Sequence, residues 1–184
     1  MKSCPSCGAH ADDAARFCLE CGFAFEGDGG PSDPWKGRMV AGRYRIERKL
    51  GDGGMGEVYL AEQVPMGRMV ALKVLRQSLS DDPQQVERFK REAQAASQLS
   101  HPNTIIVHDF GQDPADGTLF IAMEFLEGAP LSDVLERAGK LDPVRAGRIM
   151  AQVCGSLSEP HRRRMIHRHP KPEALFLVQR GGTD

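Results

Sequence analysis

The chain is 184 residues long, with 24 Lys and Arg against 25 Asp and Glu, a formal net charge of −1, and 40% hydrophobic residues. So even a balance gives no global attraction to nucleic acid or to an anionic membrane, and no apolar run approaches the ~18 residues of a membrane span or resembles a signal peptide. The expectation is a cytoplasmic protein whose partners are set by local sites, with no nucleic acid and no membrane among them.

The chain opens on two near-identical C-x-x-C-G knuckles, Cys4-Pro-Ser-Cys7-Gly8 and Cys18-Leu-Glu-Cys21-Gly22. Four thiolates suit a closed tetrahedral site, so Cys4, Cys7, Cys18 and Cys21 are read as ligands of a structural Zn2+. A segment of this size has too little core to fold alone, and structural zinc supplies about 10–16 kcal/mol in small finger peptides. His10 reads first as a surface residue, with a substitute ligand as the alternative. With Lys2 and Arg16 as its cations the module makes a poor nucleic-acid binder, which points to a protein contact or a spacer. This gives a zinc ribbon over residues 1–25. The stretch that follows, beginning Glu26-Gly-Asp-Gly-Gly-Pro-Ser-Asp-Pro34, is polar and rich in glycine and proline, and residues 26–43 read as a flexible linker.

From Tyr44 short β-like runs appear, at Tyr44–Leu50, Glu57–Ala61 and Met69–Leu75, bounded by glycines. Asp81-Asp82-Pro83 supplies a cap and a first-turn proline for a helix that carries Val86, Phe89, Ala93 and Ala96 on one face. His101-Pro102-Asn103 ends it. Two further strands, Ile105–Phe110 and Leu119–Phe125, flank the turn-rich Asp113–Gly117. Ser132 is placed to cap a short helix, and Asp142-Pro143 opens a longer one with Ala146, Ile149, Val153 and Leu157 along one side. Cys154, inside that pattern, reads as a small buried apolar side chain.

Gly51-Asp-Gly53-Gly-Met-Gly56-Glu-Val58 is a G-x-G-x-x-G-x-V run. Glycine triplets also open the helix of a dinucleotide-binding fold, but here the chain continues as a strand, so these glycines sit in a hairpin. In Val70-Ala71-Leu72-Lys73 a lysine stands among apolar neighbours, and Glu92 sits at the apolar edge of the helix face. Pairing Glu92 with Lys73 satisfies both.

These motifs, with Lys171-Pro172-Glu173 in the same order, resemble those of bacterial serine/threonine protein kinases over about Tyr44 to Val178. The resemblance implies an α+β fold: a kinase-like N-lobe at 44–126, made of an antiparallel sheet and one helix, then a partial helical C-lobe at 127–184. It also implies an ATP pocket. The glycine loop (Gly51, Gly53, Gly56) would cover the phosphates, and Lys73, held by Glu92, would reach them. Leu50, Val58 and Ala71 would sandwich the adenine, Met123 would back the pocket, and the backbone from Glu124 to Leu126 would form the hinge.

The stretch Ile166-His167-Arg168-His169-Pro170-Lys171-Pro172-Glu173-Ala174 resembles the family's catalytic loop with its working residues exchanged. Where the family has an aspartate to orient the acceptor hydroxyl, this chain has His169; where the family has a magnesium-holding asparagine, it has Ala174. The chain reaches Asp184 before any D-F-G, so the metal-binding aspartate and activation segment are expected to be missing. Loss of a general base costs roughly 10²–10⁴-fold, and loss of metal ligands adds to it. Pro170 and Pro160 are expected to disturb the loop and the helix before it. The helix face of Ile149, Val153 and Leu157 is expected to lack a partner within the chain.

The expected function is therefore that of a truncated, catalytically inactive pseudokinase. It would bind ATP weakly or without magnesium, and another protein through the zinc ribbon or the exposed helix. The alternatives are an active protein serine/threonine kinase and a decayed gene fragment.

Overall fold

The computed structural model describes residues 1–4, 8–12, 33–53, 55–167 and 170–178. The chain forms two compact units, one comprising residues 27–100 and 104–125, the other 1–26, 101–103 and 126–184.

The first unit is built on a six-stranded antiparallel sheet. In order of first appearance its elements are β3 (Met39–Val40), β4 (Tyr44–Asp52), β5 (Gly56–Gln63), β6 (Arg68–Leu75), α1 (Pro83–Ser97), β7 (Val107–Gln112) and β8 (Leu119–Glu124); β1 and β2 belong to the other unit. The strand order is β3-β4-β5-β6-β8-β7. Alternation along β6 sorts the core into two layers. Val70, Leu72 and Val74 point to one face and are fully buried with Tyr44, Ile46, Tyr59, Ala61, Phe120 and Ala122. The opposite face carries Leu75, Leu119 and Ile121, which pack with Phe89 and Ala93 of α1. Asp82 caps α1 as the sequence implies, its carboxylate accepting from the Gln84 N–H at 2.8 Å, with Pro83 in the first turn.

Two features depart from expectation here. The linker reading fails over its described part. Residues 33–41 form a turn and strand β3, Val40 is fully buried, and Trp35 packs on the core. Glycine and proline content alone concealed an aromatic anchor. The first strand after α1 also starts later than read, at Val107 in place of Ile105.

In the other unit β1 (Lys2–Ser3) pairs with β2 (His10–Ala11). The turn between them is closed by the Gly8 N–H to Cys4 O and the Cys4 N–H to Ala9 O, both 2.8 Å. Gly8 has φ +75°, a conformation that only glycine takes without cost. Further on are β9 (Gly128–Pro130), α2 (Leu131–Ala138), α3 (Pro143–Arg162) and β10 (Phe176–Val178), with β10 antiparallel to β9. A Cβ on Gly128 would lie 2.0 Å from the Leu177 carbonyl oxygen, so the two backbones approach more closely than any other residue allows.

Asp142 caps α3 as read, accepting from the Val144 and Arg145 N–H groups. Ser132 does not cap α2; the cap position is Pro130, and Ser132 lies inside the helix with its hydroxyl on Asp133. Cys154 is exposed, not buried. Pro160 does not end α3 early: the helix runs through it to Arg162, and Pro160 is itself buried. A proline near a C-terminus removes one donor, and Arg163 then closes the helix through carbonyls at Glu159 and Pro160.

Candidate functional site: the glycine hairpin and the β6 lysine

The glycine-rich run forms the turn between β4 and β5, with Gly51 still in β4 opposite Val58 and Gly56 opening β5. Leu50 occupies a bulge between the paired Lys49 and Gly51. The tip closes through the Gly53 N–H to the Gly56 carbonyl at 2.7 Å. The glycines differ in why they are there. A Cβ on Gly56 would meet the Val74 carbonyl oxygen at 2.1 Å, so the sheet itself demands a glycine, whereas one on Gly53 would make only ordinary contact at 3.4 Å. Packing accounts for Gly56 and does not account for Gly53.

Pairing sets the remaining side chains in rows on the face that α1 covers. Gly51, Val58, Lys73 and Ile121 form one cross-strand row, and Leu60, Ala71 and Met123 the next. Lys73 Nζ meets Glu92 Oε1 of α1 at 2.5 Å, and lies 5.8 Å from the centre of the Phe89 ring. The lysine side chain is 15% exposed and the glutamate 43%. Glu92 thus sits at the rim of the helix's buried stripe and holds a cation that its strand places among apolar neighbours. The Glu124 N–H donates to Ile106 O at 2.9 Å, and its carboxylate accepts from the Ile106 N–H at 2.8 Å. The Glu124 amide is therefore engaged with the residue just before β7. Leu126 belongs to the other unit.

Sequence reasoning missed a charge cluster bracing the hairpin. Lys49 Nζ lies 2.6 Å from Glu57 and 2.8 Å from Asp52, Tyr59 donates to Glu57 at 2.9 Å, and Arg76 reaches the Gly53 carbonyl at 3.4 Å. Asp52 and Glu57 hold the Lys49 ammonium above its ordinary pKa. Lys49 in turn holds Glu57 below the usual carboxylate range, and burial pushes the Tyr59 hydroxyl up. The signal was present as opposite charges on facing strands, but the bulge between Lys49 and Gly51 shifts the register by which they meet.

Of the catalytic stretch, His169 lies outside the described residues. Ala174 ends a short 3-10 turn, Pro172–Ala174, and is exposed. Magnesium takes oxygen ligands, and a methyl group offers none, so this position does not fit a metal. Ile166 is 74% exposed, unusual for a residue of its size. Cys4 is buried, while Cys7, Cys18 and Cys21 lie outside the described residues; among the described residues no group of three or more metal-ligating side chains is assembled.

A profile of the protein kinase domain matches residues 44–182. The chain belongs to the protein kinase family. It is 46% identical over 149 residues to serine/threonine-protein kinase pkn3 of Myxococcus xanthus, covering 81% of this chain and 27% of that protein. It is 39% identical over 145 residues to serine/threonine-protein kinase PrkC of Bacillus subtilis, covering 79% and 22% respectively. The chain thus spans about a quarter of the length of these kinases. Among solved structures, the Mycobacterium tuberculosis PknI kinase domain superposes with a TM-score of 0.64 at 35% identity, over 78% of this chain and 58% of that one. The sheet with its single packed helix is accordingly a kinase N-lobe, and the helical unit carries part of a C-lobe. Among the described residues no helix is long and apolar enough to cross a membrane.

Proposed function

We propose that this kinase-family chain grips ATP through its sheet-bearing unit and does not transfer the γ-phosphate, acting instead by nucleotide and protein binding. The observation that carries the reading is the Lys73–Glu92 pair, kept at 2.5 Å while the metal-ligand position holds only the methyl of Ala174. Desolvating an ammonium on a side chain only 15% exposed costs stability that its partner Glu92, 43% exposed, does little more than repay, so folding alone gives little reason to hold a cation among apolar side chains. Phosphate recognition gives one. The face formed by Val58, Ala71 and Met123 suits an aromatic base, Leu50 flanks it, and the glycine hairpin suits close approach of phosphates. In place of the family's aspartate stands His169, whose imidazole offers no oxygen to magnesium. ATP binding is accordingly weak in magnesium dependence.

Calorimetric titration of the purified chain with ATP, with magnesium and then with chelator, tests this. Binding of similar strength in both, lost in Lys73→Ala, supports it. A second reading, an active serine/threonine kinase transferring phosphate to protein hydroxyls, is favoured by the 46% identity to a protein of that name. Incorporation of labelled phosphate into a generic protein substrate at an ordinary rate would establish that reading instead. A chain that does not stay soluble would point to a decayed gene, a reading in line with the exposure of Ile166.

For the N-terminus we propose a structural zinc site of Cys4, Cys7, Cys18 and Cys21 that serves as a protein-contact module in the reducing cytoplasm. Its support is local: the β1–β2 hairpin folds back so that Gly8 N–H meets Cys4 O, with Gly8 left-handed, as a thiolate-wrapping knuckle requires. Metal analysis should give one zinc per chain, lost in Cys4→Ser.

A further inference from the structure

We propose that Trp35 is a positioning residue for the glycine hairpin, acting through Tyr59 and the charge cluster at the hairpin base, so that the segment before the sheet and the nucleotide loop are coupled. The nucleotide arm of this inference rests on the ATP reading above; the mechanical arm does not.

Trp35 is held from both sides. Its backbone N–H donates to the Asp33 carboxylate at 3.0 Å, and the Arg38 guanidinium lies 4.1 Å from its ring centre. Farther along, Arg38 is bonded to Asp116, and the Ala41 N–H donates to the buried Asp113 at 3.1 Å. Ala41 has φ +51°, an uncommon conformation for alanine. This strap presses the indole onto Tyr59, with ring centres 5.6 Å apart. Tyr59 is 1% exposed, so its hydroxyl needs an acceptor, and that acceptor is Glu57 at 2.9 Å. The other oxygen of Glu57 holds Lys49 at 2.6 Å. Lys49 holds Asp52 at 2.8 Å, and Arg76 lies 3.6 Å from Asp52 and 3.4 Å from the Gly53 carbonyl. Every link lies within the sheet-bearing unit.

The chain has a switchable end. Asp52 is 60% exposed, so its hold on Lys49 and Arg76 is water-screened and the hairpin tip stays adjustable. Lys49, Glu57 and Tyr59 share the sheet face opposite Lys73, so the cluster reaches the nucleotide side through the hairpin backbone, which Arg76 holds at the Gly53 carbonyl. By reciprocity, loosening Trp35 weakens the hairpin's hold on the nucleotide.

The test uses the intact chain, in which Trp35 is the single tryptophan and hence a built-in fluorescent reporter. ATP is titrated while Trp35 emission and calorimetric heat are followed in parallel. The wild type should show a saturable emission change whose midpoint matches the calorimetric Kd. Tyr59→Phe keeps the ring stack but lacks the hydroxyl; it should at least halve that emission change and weaken Kd by about threefold or more. Trp35→Ala should weaken Kd, and Trp35→Phe should restore it. Separately, without nucleotide, hydrogen exchange at the amides from Gly51 to Val58 should quicken about tenfold in Trp35→Ala and Tyr59→Phe. ATP heat with a silent Trp35, an unmoved Kd and unchanged exchange would overturn the coupling. No ATP heat together with quickened exchange would overturn the nucleotide reading and leave the mechanical link standing.

Discussion

The glycine hairpin and the 166–174 stretch differ in how far the fold constrains their residues. Around the hairpin, the groups that suit a nucleotide are also structural parts. Gly56 is required by the Val74 carbonyl, and Ala71 is nearly buried in the sheet that also carries Val58. In the catalytic stretch, Ala174 sits exposed at the end of a short turn, where one side chain serves the fold as well as another. A kinase relieved of the need to transfer phosphate would lose a metal ligand at Ala174 freely and keep Gly56 regardless. Gly56 is therefore a weak witness of retained binding, and the Lys73–Glu92 pair, which packing does not require, is the strong one.

The sharpest way to break that contrast is a pair of substitutions of equal size. We predict that Gly56→Ala, which drives a methyl into a carbonyl, lowers stability by about 3 kcal/mol, while Ala174→Asn changes it by less than about 0.5 kcal/mol. Urea unfolding of both variants decides it; equal losses would end the distinction.

Next in size, Lys73→Ala should weaken ATP binding about 10- to 100-fold, as loss of a charged phosphate contact implies, with melting nearly unchanged. Calorimetry alongside a thermal melt reads both. A lysine whose loss collapses the fold would be a structural residue after all.

Smaller again is the alkaline response of the sheet. The Tyr44 hydroxyl, buried and donating to Asp109 at 2.8 Å, has its pKa pushed up to about 12 from 10.0, burial being the larger cause and Asp109 the next. A raised folded value means that this stabilisation is complete below the unfolded value of 10.0 and is lost as pH climbs towards about 12. Melting temperature should fall over that window, and Tyr44→Phe should flatten the fall at a cost of about 1 kcal/mol near neutrality. On the acid side the sign reverses for Glu57, whose lowered value contributes stability above the ordinary carboxylate range that disappears as pH drops.

The smallest effect is that of magnesium. With Ala174 offering no oxygen, removing the metal should change the ATP Kd by less than about threefold. A tenfold loss on chelation would mean that ligands other than the family's asparagine serve this chain.

The sheet was legible because period-two alternation and its bounding glycines are local signals, and α1 because Asp82 and Pro83 announce it. The Lys73–Glu92 pair was legible for a different reason: each residue alone is anomalous on its element, and one contact resolves both. What stayed hidden depends on contacts distant in sequence. Trp35 lies in a stretch whose glycine and proline content reads as linker, and its significance appears only against Tyr59 two strands later. The Lys49 cluster needs a bulge that no alternation pattern predicts. Cys154 was misread because a 3.6-residue period tolerates a side chain one position off the buried stripe, and Ser132 because Pro130 fixes the helix start two residues earlier.

The kinase match begins at Tyr44, yet strand β3 and the Trp35 turn ahead of it close the margin of the sheet. A recombinant fragment cut at Tyr44 would strip β3 from the Tyr44–Arg45 end of β4 and free the Ile46 amide and carbonyl that Arg38 and Gly37 now hold, a template for cross-chain pairing. Starting expression at Asp33 keeps that end of β4 covered, and preparations begun later should precipitate more readily.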